Sequence, residues 1–167
     1  MKNTDFKIIV DFDKTMKILW DEIKNLEKKP LGELKVFDLL KFNDKAIFHG
    51  VYIFFDENEN ILYIGKNSRE SFVERIPWHF AMSQYSWMNH FFKYSKEFNK
   101  VETFEEIADK CINNKICLLI VNEHDKIGAL EKLLRITFKP KYNSFKTKVM
   151  DMNSLLDQKL DSLIDKI

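Results

Sequence analysis

Glycine is scarce: four in 167 residues, at Gly32, Gly50, Gly65 and Gly128. Each must mark a turn, a left-handed backbone or a close backbone approach, and Gly50 and Gly65 bracket one short hairpin-like segment. There are only two cysteines, Cys111 and Cys117, and no Cys-x-x-Cys. That excludes a disulfide framework and a thiolate zinc site, and fits a reduced, cytoplasmic protein. No apolar run approaches the roughly 18 residues that span a bilayer. The opening Met1-Lys2-Asn3-Thr4-Asp5 lacks the apolar stretch of a secretory signal, so no membrane partner is expected. Charge of one sign is lacking too, with 27 basic against 26 acidic residues and a net +1. Nucleic-acid contact would therefore need a local basic patch, not a global field.

What is present is apolar and aromatic. Hydrophobic residues make up 45% and charged residues 32%, the balance of a globular chain and not a disordered one. The length suits one domain that needs no staple. Residues 5–12 read as a short strand, and 14–28 as a helix broken by Pro30. Residues 1–44 are set apart as an N-terminal extension. Gly50 to Phe55 and Ile61 to Ile64 are β-branched and aromatic runs around a polar turn, a β-hairpin. Helices are expected from Glu70 to about Met82, Ser86 to Phe98 and Thr103 to Cys111, the last opening on a capping box. Ile116 to Val121 is a buried third strand, and Ile127 to Phe138 a helix stopped by Pro140. From Lys146 an amphipathic helix runs to Ile167. The fold class expected is α/β (α+β): a small mixed three-stranded sheet flanked by helices, not a doubly wound sheet.

Four elements carrying chemistry arrive in order. They are Gly50-Val51-Tyr52, then Tyr63-Ile64-Gly65-Lys66, then Arg75 with His79, and finally Glu131 followed by Pro140-Lys141-Tyr142-Asn143. Hairpin alternation allows Tyr52 and Tyr63 to share a face. Arg75 and His79 are spaced i, i+4 on one helix. A phenol can take a proton from water, an arginine can neutralise charge building on a phosphorane, and a carboxylate can hold a divalent cation. Together they are the parts of metal-assisted phosphodiester cleavage.

These residues closely resemble the signature of the GIY-YIG nuclease superfamily, which includes the N-terminal nuclease domain of the excision-repair protein UvrC and certain homing and restriction endonucleases. The resemblance covers about residues 45–145, with 1–44 and 146–167 outside it. It implies that Tyr52 or Tyr63 is the general base or water-positioning phenol, with Lys66 able to lower that phenol's effective pKa. It implies that Arg75 stabilises the scissile phosphate. His79 would contact the phosphate or assist or replace the phenol. Glu131 would be the sole protein ligand to Mg²⁺ or Mn²⁺, with water and phosphate completing the shell, and Asn143 would bond near the site. The activity implied is endonucleolytic hydrolysis of DNA. The alternatives are a restriction-type enzyme with a defined target and a non-catalytic nucleic-acid-binding module of the same fold.

Between Arg75 and His79 lies Pro77, which either opens a helix or kinks one. The stretch 80–115 reads as a helical insert, and the aromatic-dense region that overlaps it, Trp78 to Tyr94, suits a core, a subunit interface or stacking on an unpaired base. From Lys126 to Lys148 the one acid is Glu131, so Lys66, Lys139, Lys141 and Lys146 are expected at nucleic acid. His49, His90 and His124 lack ligand spacing and read as local hydrogen-bonding residues. Gly65-Lys66 lacks the upstream glycine of a P-loop. The apolar stripe of the C-terminal segment leaves a homodimer open.

Overall fold

The computed structural model describes residues 5–43, 45–82, 90–143 and 155–166. Two hydrophobic runs around a polar turn build the centre. Strand β5 (Gly50–Phe55) pairs antiparallel with β6 (Ile61–Asn67) and, on its other side, with β7 (Lys115–Ile120). Asp56 closes the turn by accepting hydrogen bonds from the Asn60 backbone N–H at 2.8 Å and side-chain amide at 2.9 Å.

The three expected strands are joined by two more from the first 44 residues. Strand β1 (Lys7–Ile9) runs parallel to β7, and β2 (Lys29–Pro30) pairs antiparallel with its other end. The sheet is therefore five-stranded, ordered β1-β7-β5-β6 with β2 beside β7. A separate small hairpin pairs β3 (Lys41–Phe42) with β4 (Lys45–Ala46). The physical reason is that β7 is apolar from Ile116 to Ile120 and must be covered on both edges and both faces. The fold is mixed α/β.

Period-2 alternation divides the central side chains between two cores. Val51, Ile53, Phe55, Cys117 and Leu119 face α1 (Met16–Asn25), α5 (Ile127–Phe138) and the short α6 (Leu160–Ile164). Tyr52, Phe54, Tyr63, Ile116 and Leu118 face α2 (Phe72–Trp78), α3 (His90–Asn99) and α4 (Phe104–Cys111). In α1, Met16, Leu19 and Ile23 are buried at helical spacing, and the Thr15 hydroxyl caps the start by accepting from Ile18 N–H at 3.3 Å. The 80–115 stretch supplies α3 and α4, whose Phe91, Ile107 and Cys111 are buried against the sheet.

Glycine serves close approach here. A Cβ on Gly50 would stand 2.0 Å from the Leu119 carbonyl oxygen, and one on Gly65 would stand 2.4 Å from the Tyr52 ring. Pro77 neither opens a helix nor breaks one. It sits in the last turn of α2, so Arg75 stays helical and His79 forms the C-cap.

The expected continuous C-terminal helix is corrected in its described part. Residues 155–158 form a turn, Lys159 bridges Thr15, and only Leu160–Ile164 is helical. Leu155, Leu160 and Leu163 reach the α1–α5 core best when the chain turns, and Leu160 N–H bonds Lys14 C=O at 3.0 Å. Residues 146–154 lie outside the described set. No helix among the described residues is long and apolar enough to cross a membrane.

Candidate active site

The hairpin register sets the site. Tyr52 lies opposite Gly65, and Tyr63 opposite Phe54, so both phenols occupy one sheet face on a diagonal. Their rings are 6.3 Å apart and 28° from parallel, with Tyr52 lying over the space that Gly65 leaves open. Helix α2 crosses this face. It presents His79 to both phenols, with ring centroids 5.3 Å from Tyr52 and 5.1 Å from Tyr63. The Tyr52 hydroxyl and His79 Nε2 are 2.6 Å apart.

The direction of that hydrogen bond follows from the other ring nitrogen. Phe91 N–H donates to His79 Nδ1 at 3.3 Å, so Nδ1 carries the lone pair. A neutral ring then bears its proton on Nε2 and donates it to the Tyr52 oxygen. Burial holds His79 well below the usual histidine range, with Arg75 and His90 adding to the effect, and so keeps the ring neutral.

Arg75 is buried beside the phenols, and its Nη1 has no hydrogen-bond partner among the described residues. Burial pushes the Tyr52 phenol well above its ordinary pKa, Tyr63 adds to this, and the Arg75 guanidinium partly opposes it. Burial likewise pushes Tyr63 up to about 12 against the pull of Arg75. Arg75 also hydrogen-bonds the Tyr52 side chain, so only part of its fork is open. A buried donor left without an acceptor costs on the order of 1–3 kcal/mol and is poised for an anion.

Lys66 sits elsewhere than expected. It is three residues from Tyr63, an odd spacing, so alternation points it to the α5 face, where it meets Glu131 at 3.7 Å. The cation acting most on both phenols is Arg75, not Lys66. Glu131 is held from the other side by Arg135 at 3.0 Å, one helical turn on. Its side chain is 13% exposed and that of Lys66 42%. Glu131 is nonetheless electrostatically felt at Tyr52 and Tyr63, raising both.

Asn143 anchors the strand that carries Tyr63. Ile64 N–H donates to its Oδ1 at 2.8 Å, and its Nδ2 donates to Ile64 C=O at 2.9 Å, so the side chain acts as a strand partner on the open edge of β6. Tyr142 N–H continues this with a 2.7 Å bond to Leu62 C=O. The same run places Lys141 beside Ile61. That is five residues, about 16 Å, from Lys66 along β6. Lys139 caps α5 in left-handed conformation, and Lys141 lies over the Phe98 ring at 5.2 Å. The expected basic face is thus divided: Lys66 lies on the α5 face with Glu131, while Lys141 meets the opposite end of β6 and Lys139 ends α5. Lys126 is paired with Asp161 at 2.6 Å. Lys146, Lys148, Tyr85 and Trp87 lie outside the described residues.

No known family, curated protein or solved structure matches this chain. The site must be read from its own geometry.

Three further residues neighbour the site. The His90 ring, with no ligand spacing in the sequence, lies 6.3 Å from that of His79. Tyr94 acts electrostatically on Tyr63, as does Arg135, which also holds Glu131. The i, i+4 spacings of His90 with Tyr94 and Glu131 with Arg135 were signals that could have found them. His49 and His124 do behave as local groups, bonding the Glu70 carbonyl at 3.2 Å and the Ser68 carbonyl respectively.

A divalent cation fits here only in a limited way. Among the described residues no group of three or more histidine, cysteine or acidic side chains gathers to bind one. Glu131 offers a single carboxylate whose oxygens already face Lys66 and Arg135. Such a donor set suits a hard cation that takes most of its shell from water and substrate oxygen.

Proposed function

We propose that this chain is a metal-dependent endonuclease that hydrolyses DNA phosphodiester bonds, of the GIY-YIG kind its hairpin resembles. One observation carries the reading: the buried Arg75 Nη1 has no hydrogen-bond partner among the described residues, and its guanidinium acts on two phenols and a neutral histidine, with the Glu131 carboxylate acting on the same two phenols. The open Nη1 would bind a phosphate oxygen and offset the charge that develops on it. His79 donates to the Tyr52 oxygen and fixes that ring. Tyr52 is 0% exposed and Tyr63 9%, so Tyr63 is the phenol better placed to meet water. Glu131 would hold Mg²⁺ or Mn²⁺, which when bound supplies Lewis-acid polarisation of a phosphate oxygen. Lys66 and Arg135 hold the Glu131 carboxylate in place.

The test is cleavage of supercoiled plasmid with Mg²⁺ and with EDTA. Arg75→Ala should slow cleavage by roughly 10²–10³-fold, as loss of one transition-state donor does. Tyr63→Phe should slow it by roughly 10²–10⁴-fold with little change in Tm, and Glu131→Ala should abolish it. Full activity in EDTA, or in Glu131→Ala, would remove the metal role. A non-catalytic nucleic-acid-binding module is the second reading. The observation favouring it is that Tyr52 and His79 are both 0% exposed. Binding without any cutting by the wild type would select it.

A further inference from the structure

Helix α3 carries two rings the proposed chemistry does not use. His90 and Tyr94 are spaced i, i+4 and lie on one face. Their planes are 16° from parallel, with centroids 6.2 Å apart. Both are only partly buried, unlike Phe91 and Phe92 on the same helix, which fill the core. The pair adjoins the site: the His90 ring is 6.3 Å from that of His79, and Arg75 acts electrostatically on His90. Lys93, exposed between the two, places a cation at their rim.

We propose that His90 and Tyr94 form a stacking platform for one unpaired nucleobase next to the phosphate that Arg75 receives. This rests on the nucleic-acid reading above. Two near-parallel, half-open rings offer a π-face to any base, whatever its hydrogen-bonding edge. Burial, Arg75 and Lys93 all lower the pKa of His90, so near pH 7 it presents a neutral ring and not a cation. Lys93 and Arg75, which both act electrostatically on His90, supply the cations for phosphates next to the base. The arrangement favours a single-stranded or frayed segment over continuous duplex, because a paired base cannot leave its stack without loss of that stacking. The platform binds and positions; it moves no proton.

The test is binding of a fluorescently labelled oligothymidine strand in EDTA, where no turnover is needed. Tyr94→Ala should weaken binding by about ten-fold, within the range for loss of one stacked base, while Tyr94→Phe should bind like the wild type. A strand of abasic sites should bind the wild type about as weakly as oligothymidine binds Tyr94→Ala, a comparison that needs no variant to fold. A strand carrying 2-aminopurine should be quenched by the wild type and not by Tyr94→Ala. Equal affinity for abasic and thymidine strands, or Tyr94→Phe as weak as Tyr94→Ala, overturns the platform. If plasmid is cut normally while these arms show no stacking, the platform alone fails. If no nucleic acid binds at all, the platform and the nuclease reading fail together.

Discussion

Gly65 has no side chain because the Tyr52 ring lies where its Cβ would stand, 2.4 Å away. Gly65→Ala should therefore displace Tyr52 and destabilise the protein by about 1–3 kcal/mol, as overpacking of a filled core does. A urea midpoint unchanged from wild type would show that the ring has room to move. His79 gives a second residue-scale prediction, through pH. Its folded pKa is depressed by burial below the ordinary 6.5. As pH falls below about 6.5, the unfolded chain takes up a proton that the folded ring refuses, so stability declines on the acid side and is unaffected by this group above it. Between pH 7.5 and pH 5 the wild type should lose more stability than His79→Gln, by up to about 1.4 kcal/mol per pH unit. His90 is shifted the same way and keeps part of the slope in the variant. Identical acid-side slopes would show that His79 titrates normally.

At the scale of elements, β6 is an edge strand whose outer side is covered by 141–143 rather than by another strand. The Asn143 amide replaces one backbone pair by bonding both the N–H and the C=O of Ile64. Asn143→Ala leaves those two groups to water or to nothing, and should cost about 1–3 kcal/mol. Asn143→Asp keeps the acceptor for Ile64 N–H but sets an oxygen against Ile64 C=O, so it should not rescue the loss. Hydrogen exchange at the Ile64 amide reads this directly: slow in wild type and faster in both variants. An amide equally protected in Asn143→Ala would move the anchor to Tyr142 alone.

For the whole molecule, the first 44 residues are part of the core. Val10, Phe12, Met16, Leu19, Ile23 and Leu26 are buried with α5 and the sheet. Each fully buried side chain contributes about 1.5–3 kcal/mol, so their joint loss exceeds or matches the ~5–15 kcal/mol by which a domain is stable. A fragment of residues 45–167 should show no cooperative thermal transition. A sharp melt by circular dichroism would show instead that the hairpin and its helices form a unit without β1 and α1. The site depends on this same core from below, since α5, which carries Glu131, packs against α1 residues in one cluster.

Local periodicity made several elements legible in the sequence. Alternation and β-branched runs marked β5, β6 and β7, and helical spacing with Pro30 and Pro140 bounded α1 and α5 to within a few residues. The same period of two allowed Tyr52 and Tyr63 to share a face, which the hairpin register decided, and it held the answer for Lys66, whose odd spacing from Tyr63 turns it away to Glu131. Tertiary structure alone decided the rest. The parallel pairing of β1 with β7, the turn that breaks the C-terminal helix, the direction of the Tyr52–His79 bond and the edge bond of Asn143 all join residues far apart in the chain. Such pairings are chosen by which surfaces must be buried together, a quantity no local pattern contains. Arg75 is the sharpest case: no local pattern marks it as buried, and only the packing of α2 on the hairpin buries it with its Nη1 unpartnered among the described residues.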